Sequence, residues 1–103
     1  MRDYYATRSL KRLCTDEKEM AKKRADVADK LKLRVNAIRE AKNFGDLQRI
    51  DPLGKWHELK ANLAGTWSGR LSPNWRILVR PEGEGPPEER NEATILDLDD
   101  YHH

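Results

Sequence analysis

Cysteine is nearly absent. Cys14 stands alone, so no intrachain disulfide can staple the chain, and a reducing, cytoplasmic setting is expected. No uninterrupted apolar run approaches the ~18 residues that a membrane-spanning helix requires, so no membrane association is expected. The opening MRDYYATRSL lacks the apolar stretch of a secretory signal, and none is expected. Several catalytic signatures are missing as well: there is no CxxC, no HExxH, no phosphate-binding GxxxxGK loop and no GxSxG nucleophile turn. Neither a metal nor a nucleotide cofactor is therefore expected. Apolar residues make up 37% of the 103, no more than the charged residues, also 37%. That balance predicts one small domain over 1–103, with a small core and helices wetted on one side.

Positive charge is plentiful and unevenly placed. Residues 1–80 hold 19 Lys and Arg against 10 Asp and Glu, whereas residues 81–103 hold one against eight. The net charge of +2 conceals this contrast. A basic body calls for an acidic partner, nucleic acid first among them. By itself a charge run is more often a solvated face.

Periodicity gives the elements. Residues 3–6 suggest a first strand and residues 7–14 a short helix, with Leu10, Leu13 and Cys14 on one side. Asp16 followed by Glu19 has the spacing of a capping box. It opens a predicted helix over 17–42 whose stripe is Ala28, Leu31, Val35 and Ile38, with Leu33 off that stripe and Phe44-Gly45 as its stop. Residues 46–54 read as an irregular connector. The runs 65–71 and 75–80 flank Ser72-Pro73-Asn74 and predict a hairpin. Alternation puts Trp75, Ile77 and Val79 on one face and Arg76, Leu78 and Arg80 on the other. The stretch PEGEGPPEERNE, residues 81–92, has no apolar side chain except proline and predicts a flexible acidic loop that a Gly/Ser turn could replace. Residues 93–98 are a last strand, with Thr94, Leu96 and Leu98 on one face and Ile95 and Asp97 on the other. The order predicts an α+β domain, a small antiparallel sheet with two N-terminal helices packed on one face.

The groups able to do chemistry are His57, Lys60, Arg70, Arg76, Arg80, Tyr101 and His102, and no carboxylate interrupts them from Lys60 to Arg80. Such a set suits cleavage of a phosphodiester. Breaking RNA needs a base for the 2′-OH proton, an acid for the departing 5′-oxygen and cations for charge building on phosphorus. Histidine can take either proton role near neutral pH, and Arg and Lys can carry the electrostatics without a metal. Trp67 and Trp75 fall on the apolar strand face and are better core residues than stacking platforms. The role of Trp56 stays open.

The sequence HELKANLAGTWSGRLSPNWRILVR, followed after the acidic loop by LDLDDYH, resembles the HigB branch of the RelE/ParE toxin superfamily. The matching positions are His57, Leu59, Lys60, Gly65, Trp67, Ser68, Arg70, Trp75, Arg76, Ile77, Asp100, Tyr101 and His102. Ala61 stands where that family prefers glycine, and Gly69 and Asp99 where it favours β-branched residues. The resemblance implies a RelE-like microbial RNase fold and a type II toxin that cuts mRNA on the ribosome, restrained by a cognate, HigA-like antitoxin. It implies an active site of His57, Lys60, Arg76, Tyr101 and His102. Lys55, Arg70 and Arg80 are expected to position RNA phosphates. Two other readings stand beside it: a ParE-like toxin acting on DNA gyrase, and a non-enzymatic nucleic-acid-binding regulator. If the basic body steers an acidic antitoxin, the association rate should fall as salt rises from roughly 0.05 to 0.5 M. A stopped-flow rate flat across that range would exclude steering.

Overall fold

The computed structural model describes residues 1–101, and every structural statement below concerns those residues. Strand β1 (Arg2–Tyr5) leads into helix α1 (Arg8–Thr15). Thr7 opens α1 by accepting from the Leu10 amide at 3.1 Å. Asp16 opens α2 (Glu17–Lys23) by accepting from the Lys18 and Glu19 amides at 2.9 and 3.3 Å. Each cap satisfies donors that the first helical turn leaves free.

Where the sequence predicts one helix over 17–42, there are two. The backbone leaves helical geometry at Arg24 (φ −137°, ψ 52°) and resumes as α3 (Ala28–Glu40). Two side chains hold the break open. Arg24 lays its guanidinium 4.1 Å over the Trp75 ring and pairs with Asp26, while Val27 turns into the core. The predicted stop at Phe44-Gly45 is likewise a start. Asn43 accepts from the Asp46 amide at 2.7 Å and opens α4 (Phe44–Ile50), which buries Phe44 and Leu47 completely. A well-placed cap and two core anchors override the breaker signal of Gly45. The helical layer thus has four helices, not two, and 46–54 is largely ordered, ending in a 3-10 turn at Pro52–Gly54.

The remaining strands are β2 (His57–Glu58), β3 (Trp67–Arg70), β4 (Trp75–Glu82) and β5 (Glu92–Asp100). The sheet order is β1-β5-β4-β3-β2. Strands β3 to β5 pair antiparallel as expected; the two-residue β2, which the sequence does not predict, adds antiparallel to β3, and β1 runs parallel to β5, so the sheet is mixed at that edge. The hairpin between β3 and β4 turns as predicted, with Ser72 Oγ accepting from the Trp75 amide at 3.0 Å. One sheet face packs on the helices: Trp67, Ile77, Val79, Ala93, Ile95 and Leu98 meet Leu31, Val35, Ile38, Phe44 and Leu47. The predicted faces of β5 are corrected here. Val79 lies opposite Ile95, yet Leu78 lies opposite Asp97, so Leu96 is an extra residue in a β-bulge. The bulge shifts the alternation. Ala93 and Ile95 face the core before it, and Leu98 does after it.

The connector between β4 and β5 is shorter than 81–92, because Pro81 and Glu82 pair with Ala93 and Glu92. It is also docked. The Arg90 carbonyl accepts from the Phe44 amide at 3.2 Å, and the Arg90 guanidinium donates to the carbonyls of Gly85 and Pro81. Replacing the whole of 81–92 would therefore remove strand pairing and a brace on α4, contrary to the tolerance expected from composition.

Beneath β3 lies a buried polar network. Arg34, 3% exposed, donates through Nη1 to both oxygens of Asp51 at 3.0 and 3.3 Å and through Nε to the Arg70 carbonyl at 2.7 Å. Asp51 also accepts from Trp56 Nε1 at 3.0 Å. Trp56 in turn lies against the strand at Gly69, where a Cβ would come within 2.5 Å of its ring. Glycine there is a requirement of close approach, not only a weak strand former. Arg34→Ala should cost about 3–5 kcal/mol, because it strands a mostly buried carboxylate. Arg34→Met with Asp51→Leu should recover much of that loss. Urea unfolding of the three variants checks this, and a loss under about 1 kcal/mol for Arg34→Ala would contradict it.

Candidate active site

The sheet's other face carries polar side chains in register. His57 lies opposite Ser68, and Ser68 opposite Leu78; one row along, Arg70 lies opposite Arg76, and Arg76 opposite Asp99. Because side chains alternate along each strand, these residues share the face away from the helices. Of these, His57, Ser68, Arg70 and Arg76 join Lys55 and Tyr101 in lining a cleft of about 290 Å³.

Each wall has a local cause. Lys55 closes the 3-10 turn in the left-handed region (φ 49°, ψ 45°), and its carbonyl sits 2.7 Å from His57 Nδ1. A carbonyl can only accept, so Nδ1 carries hydrogen and Nε2 is the nitrogen left for another partner. Arg70 is fixed at its backbone by Arg34, while its guanidinium has no carboxylate partner among the described residues. Arg76 donates from Nε to Asp99 Oδ2 at 2.8 Å, and its Cζ lies 4.9 Å from the centre of the Tyr101 ring. The Tyr101 amide donates to the Asn74 carbonyl at 3.1 Å, which ties the end of β5 to the hairpin turn.

Of the residues singled out from the sequence, Lys55, His57, Arg70, Arg76 and Tyr101 come together. Lys60 is exposed on the turn after β2 and does not line the cleft. It precedes Ala61, whose φ of 60° is the left-handed conformation that favours glycine. Arg80 is also outside the cleft, with Nε and Nη2 both 3.0 Å from Glu82 Oε2. The Thr94 hydroxyl and the Arg80 guanidinium hold the Glu82 carboxyl below its usual range, so Arg80 is committed to this pair. His102 lies outside the described residues, as does His103. Trp56 proves to be core, 4% exposed. Two residues at the site are not among the candidates for chemistry. Ser68 is a matching position of the family resemblance and shares the face of Arg70 by alternation, but is given no role there. Asp99 could not be placed by alternation, because its outward position depends on the bulge at Leu96.

No protein-family model matches the chain. The endoribonuclease HigB of Proteus vulgaris is 33% identical over 78 residues, which is 76% of this chain and 75% of that protein. Among solved structures, the YoeB–YefM complex of Staphylococcus aureus aligns with a TM-score of 0.60 at 17% identity, over 100% of this chain and 98% of that one. YafQ of Escherichia coli aligns at 0.59 and 16%, over 98% and 94%. A YoeB/ParE toxin of Agrobacterium tumefaciens aligns at 0.56 and 18%, over 99% and 100%. These likenesses cover the sheet and the helical layer together.

The contact to the Lys55 carbonyl fixes a tautomer that can be measured. The neutral imidazole of His57 should be the Nδ1-H form. Long-range ¹H–¹⁵N spectra of the imidazole distinguish it from the more usual Nε2-H form, whose observation would show that the contact does not persist in solution.

Proposed function

This chain belongs to the RelE/ParE superfamily of toxins from toxin–antitoxin systems, and from that premise we propose that it is an endoribonuclease that cuts mRNA on the ribosome without a catalytic metal. The observation that carries the proposal is the cleft itself. It gathers one imidazole, one phenol and three cationic side chains around a space open to solvent. That composition supplies proton transfer and charge stabilisation in one place.

In the proposed reaction, His57 through Nε2, or His102, takes the proton from the 2′-OH. The freed oxygen attacks the adjacent phosphorus. The other histidine, or Tyr101, protonates the departing 5′-oxygen. The products are a 2′,3′-cyclic phosphate, or the 3′-phosphate that forms when it opens, and a 5′-hydroxyl. Arg76 faces the charge that builds on the phosphorane. Lys60 would join from the turn outside the cleft once RNA lies across it. Lys55 and Arg70, both without ion-pair partners among the described residues, suit the flanking phosphates. Arg80 contributes only if Glu82 releases it. Cations already occupy the role a divalent metal would play, and a cleft of this sign repels such an ion. The partner that restrains the activity is an antitoxin, for which we propose a HigA-like protein.

The test is to map RNA ends after brief expression. Breaks inside translated codons, with 5′-hydroxyl ends, are the expected outcome. DNA damage without RNA breaks would instead place the target at gyrase, and neither would leave a binding protein. His57→Ala and His102→Ala should each reduce cleavage by about 10² or more. Each should leave stability within about 0.5 kcal/mol of the parent and antitoxin binding intact. Growth arrest and unchanged breaks in His102→Ala would remove that residue from the mechanism.

A further inference from the structure

Arg76 stands between a like charge and an opposite one. Arg70 is its cross-strand neighbour on β3, and Asp99 its neighbour on β5. Two guanidinium groups directly opposite each other repel, and a free arginine in that position would swing away. It does not, because Nε donates to Asp99 Oδ2 at 2.8 Å in a half-sheltered setting, the two side chains being 18% and 33% exposed. A charge-assisted bond of this length is stronger than a neutral one. The geometry of the contact matters as much as its strength. Asp99 takes the Nε hydrogen only; no hydrogen bond joins it to the terminal nitrogens. Arginine's donors form a fixed planar fork, so anchoring Nε sets the direction of the terminal N–H groups, and these remain able to bind a phosphate. The Tyr101 ring lies against the same guanidinium and limits its rotation from another side.

We propose that Asp99 is the positioning residue of this site: it holds Arg76 by Nε so that the terminal N–H groups face the phosphate undergoing cleavage. The proposal rests on the ribonuclease reading above, and it separates two effects that a carboxylate in a basic cleft could have. As a mere counter-charge, Asp99 would weaken RNA binding and slow the reaction, so removing it would improve both. As an anchor, it costs some binding yet raises the rate, because a misdirected donor loses most of its value in the transition state.

The experiment measures steady-state cleavage of mRNA on programmed ribosomes by the full chain. Asp99→Ala should lower kcat about tenfold while KM stays level or falls, since the cleft becomes more positive. Asp99→Asn keeps an acceptor oxygen of the same shape and should lie between parent and Asp99→Ala. In an Arg76→Ala background neither change should have any further effect. A kcat within twofold of the parent for both variants, or raised, overturns the proposal. So does an equal loss in the Arg76→Ala background, which would mean that Asp99 acts by another route. A second measurement needs no RNA. ¹⁵N relaxation of Arg76 Nε should show an ordered side chain in the parent and a mobile one in Asp99→Ala. Equal mobility in the two overturns the proposal even if the protein cleaves nothing, and a parent that is ordered but inactive would count against the ribonuclease reading instead.

Discussion

The structure depends on one buried cation. Arg34 lies on a helix whose buried neighbours are apolar, yet it reaches the Arg70 carbonyl on β3 and the Asp51 carboxylate at the end of α4. Asp51 passes the connection on to the Trp56 indole. Three layers that hydrophobic packing alone would leave free to slide are thereby pinned to each other: helix, 3-10 turn and strand. Two walls of the cleft hang from this point, because His57 follows Trp56 directly and Arg70 gives its carbonyl to Arg34. A buried ion pair is weak evidence for stability, since apolar residues of equal volume can match it. Its use here is directional. It fixes which atoms of the β2–β3 edge face inward, and so which side chains face out.

The second constraint is the bulge at Leu96. Before it, Ala93 and Ile95 face the helices; after it, Leu98 does. With unbroken alternation, Asp97 and Asp99 would have been driven into the core and Leu98 out of it. One extra residue therefore rescues the core and delivers Asp99 to the face that holds Arg76. A local irregularity in the backbone decides the electrostatics of the cleft.

Much of this was legible in the sequence. The period of two from Trp67 to Arg80 places Arg70 and Arg76 on one face whatever else the chain does, and Ser72-Pro73-Asn74 marks the turn between the strands. The α+β class follows from helical periodicity giving way to strand periodicity. What was not legible depends on contacts far apart in the chain. The interruption at Arg24 can be noticed, but Trp75, fifty residues on, is what makes it a break between helices. Helix α4 was hidden because Gly45 looks like a terminator until Asn43 is seen to cap it. The burial of Arg34 has no local signature at all, and a charged residue at that spacing reads as a solvated one. The exposure of Lys60 and the pairing of Arg80 with Glu82 show the same limit: residue type suggests a role, but only the backbone path decides whether the side chain can reach it.

The parallel edge of the sheet has a kinetic meaning. Strand β1 is formed at the start of the chain, but its partner β5 forms from residues that begin at Glu92. Joining them closes a loop that takes in every other element, and that closure must be met before the pairing returns any free energy. The hairpin of β3 and β4, with its short turn, can assemble early; β5 adds to it through a longer connector, and β1 is suited to be last. Without β1, the outer edge of β5 would present unpaired backbone groups, the kind of surface that recruits foreign strands. The four residues of β1, not the long central strands, are what close that edge along Glu92–Ile95.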